Sequence, residues 1–176
     1  RKKVDEAFGD LLPEEEKRAL CALICYPDER IDLVKRKYNG EEIHSLNEGF
    51  EYTTIQDWYK RRLHQVVAIA RAVTIKYSRS KVYKLLPKDY AYVIKELLHE
   101  SSLEQKDRQA YYNAIIEAII ETGCAEQLLI SITYFIHSMA IDILHVVGDI
   151  FDRGPRPHKI VDVLSTIRDY DIQWGN

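Results

Sequence analysis

Apolar positions in the first 140 residues recur with the 3.6-residue period of an α-helix. The clearest example is the segment 53–77, whose apolar residues fall on one helical face: Trp58, Leu63, Val66, Val67, Ile69, Ala70 and Val73. Proline, acidic and glycine residues at the segment ends supply start and stop signals. The pattern predicts helices over residues 4–8, 13–26, 27–38, 53–77, 80–86, 88–100, 105–122 and 125–140, and an irregular segment over 41–52.

Two of these segments carry expectations about burial. Segment 125–140 is almost wholly apolar, so we expect it to be the buried central helix of a bundle. Segment 88–100 is expected to turn four apolar residues inward, and a break is expected in the two serines that follow it. The inward residues are Tyr92, Val93, Leu97 and Leu98, and the break is at Ser101 and Ser102.

The pattern changes after residue 140. The run 141–147 consists mainly of β-branched or large apolar residues, which predicts a strand covered on both faces. A helix over 157–168 and a second, parallel strand over 171–174 complete a βαβ unit. Because two parallel strands and one helix cannot cover both faces of a sheet, we expect this chain to be an internal fragment of a larger α/β protein.

The predicted fold is therefore mainly α, a helical bundle-like layer followed by a C-terminal βαβ fragment of an α/β sheet. We expect two domains. Residues 1–140 would form a helical domain, and residues 141–176 would form a partial α/β core of strand, loop, helix and strand.

The candidate chemistry follows the first predicted strand. Gly148 lets the backbone turn sharply, and Asp149 stands at the carboxyl end of the strand, where open α/β sheets bind their ligands. Asp152 and Arg153 follow in the loop. A carboxylate for a hard cation and an arginine for a phosphate suit phosphoester chemistry. The same residues, followed by Pro155, also suit a solvated turn, and spacing alone leaves both interpretations open.

The motif Gly-Asp-x-x-Asp-Arg-Gly that begins at Gly148 resembles the second signature block of the calcineurin-like metallophosphoesterases. The Gly-Asn that ends at Asn176 resembles the first half of their third block, normally Gly-Asn-His-Asp or Gly-Asn-His-Glu. A narrower resemblance is to the class III fructose-1,6-bisphosphatases of Firmicutes-type bacteria. Its residues are His-Val-Val-Gly-Asp-Ile-Phe-Asp-Arg-Gly-Pro from His145 and Asp-Ile-Gln-Trp-Gly-Asn from Asp171. The helical stretch upstream looks like that family too, so the resemblance covers nearly the whole chain.

The resemblance implies an enzyme that removes the 1-phosphate of fructose 1,6-bisphosphate in gluconeogenesis, using water activated by two divalent metal ions, Mn²⁺ or Mg²⁺. It implies that Asp149 bridges the two metals and that Asn176 ligates one of them. It also implies that Asp152 orients the histidine of the third block and that Arg153 holds the phosphate. The resemblance further implies that residues 1–140 are a helical insertion or cap domain, which would shape the substrate mouth or a contact in a homo-oligomer.

The sequence departs from the family pattern at two points. The Asp-x-His of the first block does not occur, and no residue follows Asn176 where the third block has its histidine. Two ligands cannot hold a dinuclear site. Our hypothesis is therefore that this chain alone binds the catalytic metal weakly or not at all and has no phosphatase activity.

Two alternatives stay open. The chain could be a fragment of another metallophosphoesterase, such as a protein phosphatase, although the long helical segment before the second block argues against this. It could also be a non-enzymatic helical interaction module. An independently folded chain without an exposed apolar sheet edge would support that alternative.

Composition narrows the classes of partner. Of the 176 residues, 46% are apolar and 30% are charged, and the net charge is −3. This balance gives no general attraction to nucleic acid or anionic membranes, and no apolar run is long enough to span a bilayer. The three cysteines form no Cys-x-x-Cys pair, so a structural zinc site is not expected and the reducing cytoplasm fits best. Cys21 and Cys25 lie one helical turn apart and are predicted to be buried.

The segment 58–88 contains no acidic residue but nine bases, namely Lys60, Arg61, Arg62, Arg71, Lys76, Arg79, Lys81, Lys84 and Lys88. One interpretation is a surface for a polyanion. The interpretation we favour is a solvated helix face that pairs with acids elsewhere, such as Glu96, Glu100, Glu117 and Glu121. We therefore predict no nucleic-acid partner.

The histidines are predicted to have structural or surface positions. We expect His145 to be a core histidine bonded to backbone, and His158 to face solvent. The other four lie without a partner at metal-ligand spacing, and they are His44, His64, His99 and His137.

Overall fold

The computed structural model describes residues 1–44, 46–99, 105–141, 143–152, 154–167 and 169–175. The contacts divide the chain into two compact units, Arg1–Met139 and Ala140–Asn176. The first unit is helical, and the second contains two short parallel strands and a helix. The predicted fold class is therefore confirmed. The interpretation of residues 1–140 as a cap and of residues 141–176 as a partial core stays a prediction.

Eight helices precede the strands in the described ranges. They are α1 (Lys2–Phe8), α2 (Glu14–Cys25), α3 (Pro27–Tyr38), α4 (Ile55–Thr74), α5 (Arg79–Leu85), α6 (Ala91–Leu98), α7 (Gln105–Glu121) and α8 (Ala125–Ala140). Short 3-10 helices at Gly9–Leu11 and Lys88–Tyr90 precede α2 and α6. The predicted segments agree with these bounds to within a few residues. Glu100 and the predicted break at Ser101 and Ser102 lie outside the described residues.

Local sequence explains where the longest helix begins. The Thr54 hydroxyl accepts a hydrogen bond from the Asp57 backbone N–H at 3.1 Å, and the Asp57 carboxylate accepts one from the Thr54 backbone N–H at 3.1 Å. This reciprocal capping box satisfies two backbone donors that would otherwise lack partners at the start of α4.

The central helix of the first unit is α4, which contacts α1, α2, α3, α6 and α7. Its predicted apolar face is buried in full, with the side chains of Trp58, Leu63, Val66, Val67, Ile69, Ala70 and Val73 in the core. The prediction that residues 125–140 form the central helix is wrong. Although α8 contributes to the core, Gln127, Tyr134 and Ser138 lie along an exposed face of it.

The prediction for α6 is wrong at one position. Ile94 and Leu97 are buried, whereas Tyr92 is 75% exposed. Tyr92 precedes Ile94 by two residues, which is about 200° around a helix, so the two side chains point in nearly opposite directions. A similar correction applies to Cys25, which is exposed, while Cys21 is partly buried.

A buried cluster of polar side chains joins α2, α4 and the irregular segment 41–52. The Arg62 guanidinium is fully buried and donates to Glu48 Oε2 at 2.7 Å. Glu16 is also fully buried and accepts from Arg61 Nε at 2.6 Å and from Gln65 Nε2 at 2.7 Å. Burial raises the pKa of Glu16, but these hydrogen bonds and the nearby arginines outweigh it and hold the pKa below its ordinary value.

The cluster modifies the interpretation of the basic segment 58–88. Lys60 Nζ lies 2.5 Å from Glu117 Oε1 on α7. Glu117 is one of the acidic residues that were expected to pair with this segment. Arg61 and Arg62, however, pair with Glu16 and Glu48, so part of the segment faces the core rather than solvent.

In the second unit, β1 (Leu144–Val146) and β2 (Tyr170–Ile172) form a parallel pair, and α9 (Pro157–Thr166) lies between them in the chain. The residue pairs in register are Leu144 with Tyr170, His145 with Asp171, and Val146 with Ile172. The parallel arrangement confirms the predicted βαβ unit. Arg168, in the predicted end of the helix, lies outside the described residues.

The first strand is shorter and more exposed than predicted. Ile143 and Val147, which flank β1, are 54% and 81% exposed. Each strand has one neighbour in the described part of the sheet, so the burial expected on both faces is absent there. Among the described helices, none combines the length and the apolar character that crossing a bilayer requires.

Candidate functional site

The loops that follow β1 and β2 meet at the carboxyl edge of the sheet. Gly148 and Asp149 follow β1 closely, and Gly175 stands at the corresponding place after β2. Between strands and loops, the Gln173 N–H donates to the Val146 carbonyl at 2.7 Å, which continues the pairing of the strands. The carboxyl edge of a parallel sheet is where α/β proteins bind ligands.

Neither glycine has room for a side chain. A Cβ on Gly148 would lie 2.4 Å from the N and Cα atoms of Gly175, and the backbone of Gly148 has a φ of 94°. A Cβ on Gly175 would lie 2.0 Å from Asp149 Oδ1 and 2.6 Å from Asp149 N. The close approach that the sequence predicted at Gly148 is therefore made by the backbone of the second loop, which lies directly against Asp149.

Asp149 has an unusual backbone conformation, with a φ of 57°. Among the described residues it is the one non-glycine residue in the left-handed region. Asp tolerates this region better than most side chains, and such conformations concentrate at functional sites. Its carboxylate is exposed at the sheet edge, next to Gly175, where it can accept a ligand.

The remaining predicted site residues are less well defined. The Asp152 backbone N–H donates to the Asp149 carbonyl at 3.2 Å, which closes a turn, and Asp152 is exposed. The loop is therefore a turn that also presents two carboxylates, so the two sequence interpretations do not exclude each other. Arg153 and Asn176, the predicted phosphate and metal contacts, lie outside the described residues.

A hydrogen-bonded His–Asp pair lies across the two strands. The imidazole Nδ1 of His145 is 2.7 Å from Asp171 Oδ2, and both side chains are partly exposed to solvent. The hydrogen bond from His145, followed by that from Gln173, lowers the pKa of the Asp171 carboxyl. The prediction that His145 is a core histidine bonded to backbone is therefore wrong. The sequence alone does not reveal this pair, because the pairing depends on the register of the two strands. One signal is present in the sequence: His145 precedes Asp149 by four residues, and Asp171 precedes Gly175 by four residues.

Asp149 fits a metal site in its chemistry, since a carboxylate oxygen is a preferred ligand of hard divalent cations. Its position also fits, because the neighbouring residue, Gly175, has no side chain that could cover the carboxylate. The described residues do not complete a site, because no group of three or more His, Cys, Asp or Glu side chains among them could hold a metal ion.

The other histidines lie apart from this edge in the sequence and have their own environments. His158 is exposed, as predicted. His99 bonds through Nε2 to the Tyr83 hydroxyl at 2.6 Å. Burial lowers the pKa of His64, with further lowering from Lys60 and Arg71, and burial also lowers the pKa of His137. His64, His99 and His137 are thus partly buried and His158 is exposed, which agrees with the structural or surface positions that the sequence indicated.

Comparisons with known proteins agree on one family. The model of the Firmicute fructose-1,6-bisphosphatase family matches residues 1–176. The fructose-1,6-bisphosphatase class 3 of Phocaeicola vulgatus is 46% identical to the chain over 176 residues, and that of Parabacteroides distasonis is 43% identical. The enzyme of the same name from Alkaliphilus metalliredigens is 44% identical.

In each of these comparisons the match covers 100% of this chain but 24% of the relative. The chain thus spans about a quarter of the length of the curated relatives it matches. No solved structure matches it. Because the family match extends over every residue, the chain belongs to the Firmicute fructose-1,6-bisphosphatase family.

Proposed function

We propose that the whole protein carrying this chain is a fructose-1,6-bisphosphatase, a phosphoric monoester hydrolase that removes the 1-phosphate of fructose 1,6-bisphosphate in gluconeogenesis. The observation that carries the proposal is the family match over residues 1–176. The sheet edge supports it, because it presents the carboxylate of Asp149 beside a glycine that leaves the carboxylate uncovered.

Four residues of the chain would take part, as the resemblance to the metallophosphoesterases implies. Asp149 and Asn176 would be metal ligands, each through a side-chain oxygen. Arg153 would bind the phosphate, since a guanidinium donates to two phosphate oxygens at once. Asp152 would accept a hydrogen bond from the histidine that the third block of the family carries, and would thereby orient its ring.

When bound, two divalent cations, Mn²⁺ or Mg²⁺, would supply a water of lowered pKa as the nucleophile and positive charge opposite the phosphate. The contribution of the chain is to hold the Asp149 carboxylate in place. The left-handed backbone of Asp149 and the contact with Gly175 restrict its position, so little reorganisation is needed when a ligand arrives.

The proposal is tested on the whole protein by measuring phosphate release from fructose 1,6-bisphosphate in the presence of Mn²⁺. We expect Asp149→Asn to lower kcat/KM by more than about a hundredfold, since changes behind the ligand shell alone cost 10–100-fold. Asp162→Asn, on the exposed surface of α9, is the matched control and should retain full activity. A whole protein without turnover of this substrate would refute the proposal.

The 176-residue chain alone is a separate case. We propose that it binds Mn²⁺ weakly or not at all and has no phosphatase activity, because two predicted ligands do not hold two metal ions. The test is turnover of fructose 1,6-bisphosphate by the purified chain with Mn²⁺. Measurable turnover would show that these residues suffice.

Location and assembly are also proposals. We propose a cytoplasmic protein, which is supported by three free cysteines, Cys21, Cys25 and Cys124, because a reducing compartment keeps thiols free.

The helical unit would shape the substrate mouth or form a contact in a homo-oligomer. Light scattering of the whole protein coupled to size exclusion tests the oligomer directly, and a monomeric mass would exclude it.

A further inference from the structure

The pair formed by His145 and Asp171 is a polar feature in the described part of the second unit that the proposed function does not use. The two residues stand opposite each other in the parallel register, and His145 Nδ1 lies 2.7 Å from Asp171 Oδ2. The second oxygen of Asp171 accepts from Gln173 Nε2 at 3.3 Å. Both carboxylate oxygens are thus engaged, one by a residue of β1 and one by the residue that directly follows β2.

His145 and Asp171 have the same sequence separation from the site residue on their own chain segment. Asp149 follows His145 by four residues, and Gly175 follows Asp171 by four residues. Between these two levels, the Gln173 N–H bonds to the Val146 carbonyl at 2.7 Å. The His145–Asp171 pair, this backbone bond and the contact of Gly175 with Asp149 are therefore three successive links between the same two chain segments.

The register of these segments needs such links. Each strand has three residues, and each has one neighbour among the described residues. A short pair with exposed residues specifies its register weakly. A slip of one residue moves one strand by about 3.3 Å against the other, whereas a metal site tolerates shifts of about 0.2 Å in its ligand distances.

A role in global stability is a poor explanation for the pair. His145 and Asp171 have side chains that are 61% and 45% exposed, and exposed ion pairs contribute little to the stability of a fold. A specific hydrogen bond between directly opposed residues does, however, discriminate between one register and the next, because only one register places the two groups opposite each other.

We infer that His145 and Asp171 are positioning residues, which hold the register of β1 and β2 so that Gly175 stays against Asp149 and the Asp149 carboxylate keeps the position in which it binds a divalent metal ion. The inference rests on the proposed function. It adds two residues that touch neither metal nor substrate and act on the site through the strands that carry it.

The test uses the whole protein and the substitutions His145→Val and Asp171→Val, which keep side chains suited to strands but remove the hydrogen bond. Binding of Mn²⁺ is followed through the electron paramagnetic resonance signal of the free ion, and kcat and KM are measured at saturating Mn²⁺. We expect each substitution to weaken Mn²⁺ binding about tenfold, the lower end of what residues behind the ligand shell contribute. At saturating metal, kcat should stay within about twofold of wild type.

Conservative variants separate positioning from folding. His145→Asn keeps a donor near the position of Nδ1, and Asp171→Asn keeps an acceptor, so both should restore most of the Mn²⁺ affinity. The double variant with valine at both positions should be no worse than either single variant, because the two residues act through one bond. His158→Val, at an exposed position on α9, is the control and should have no effect.

A readout without metal is amide hydrogen exchange at Gln173, whose N–H bonds to Val146. Faster exchange in His145→Val than in wild type supports the inference. The inference is contradicted if the wild-type protein is active and the valine variants bind Mn²⁺ as tightly as the wild type does. An inactive wild type that binds no Mn²⁺ would instead reject the proposed function, and the exchange rate of Gln173 would then decide on the register alone.

Discussion

At the scale of single residues, the geometry of the site edge depends on two glycines as much as on the carboxylate between them. Gly148 and Gly175 each lie where a methyl group would overlap backbone of the other loop or the Asp149 carboxylate. The two loops can approach each other only because both positions lack a side chain. A substitution that leaves every charged group in place is therefore expected to disturb the site.

We predict that Gly175→Ala lowers kcat/KM of the whole protein by about a hundredfold, since its Cβ would lie 2.0 Å from Asp149 Oδ1. Relieving this overlap displaces the carboxylate by about 1 Å, and misplacements of that size cost about 10²-fold in rate. The control is Gly154→Ala in the loop between β1 and α9, where a Cβ meets nothing within 4 Å. Equal activity of the two variants would show that the contact is not important.

The sequence predicts some of these residues and not others for a physical reason. Asp149 and Gly148 are predictable because both follow an apolar strand directly, so local order along the chain defines them. The contact of Gly175 with Asp149 and the bond between His145 and Asp171 depend on how two strands align. Strand register is set by pairing over distance, which the hydrophobic pattern of two short strands does not encode.

At the scale of secondary-structure elements, α4 organises the helical unit with an apolar face and a buried polar cluster. The apolar face was predictable from its period. The burial of Arg62 and Gln65 was not, because a periodic pattern identifies apolar residues and says nothing about a polar residue whose partner comes from a distant segment. Here those partners are Glu16 on α2 and Glu48 in the segment 41–52.

We predict that Arg62→Leu destabilises the helical unit by about 1–3 kcal/mol, because it removes the buried hydrogen bonds to Glu48 and Gln65 and leaves Arg30 as the ionic partner of the Glu48 carboxylate. Urea unfolding followed by circular dichroism measures the change. Lys35→Met, which breaks a more exposed pair with Glu126, is the control and should cost at most about 1 kcal/mol. Losses of similar size in both variants would contradict the assignment of a buried charge pair.

Stability of the helical unit should also depend on pH near neutrality. The pKa values of His64 and His137 are held below the ordinary 6.5 by burial. The unfolded chain therefore takes up protons at a higher pH than the folded one, and stability is lost as the pH falls from above 6.5 through the lowered values.

We predict that the midpoint of thermal unfolding decreases between pH 7.5 and pH 5.5, and that His64→Gln reduces this decrease. Changing the exposed His158 to Gln should leave the pH dependence as in wild type. If the His64→Gln variant retains the full decrease, protonation of His64 does not contribute to it.

At the scale of the whole molecule, the two units differ in how well they cover their apolar residues. The core cluster of the protein lies within residues 4–139. In the second unit, by contrast, several large apolar side chains are exposed, among them Ile143, Val147, Phe151, Val163 and Trp174. This difference follows from the two-stranded sheet, as was predictable from the count of strands in the sequence.

The two tryptophans report on this difference, since Trp58 is fully buried and Trp174 is 99% exposed. We predict that acrylamide readily quenches the fluorescence of one of the two tryptophans in the 176-residue chain, and that Trp174→Phe removes this accessible component. In the whole protein, if further sheet covers this face, Trp174 should be protected. Equal quenching of both tryptophans in the chain would contradict the exposed position of Trp174 in the second unit.

The uneven cover of the two units has a consequence for synthesis of the protein. Residues 4–139 contain a complete core, so the helical unit can fold once it has left the ribosome, as domains generally do. The strands that carry Asp149 and Gly175 gain no comparable burial from residues 140–176 alone. During synthesis the βαβ unit is therefore open to chaperones and to aggregation, at a stage when the helices that precede it in the chain can already be folded.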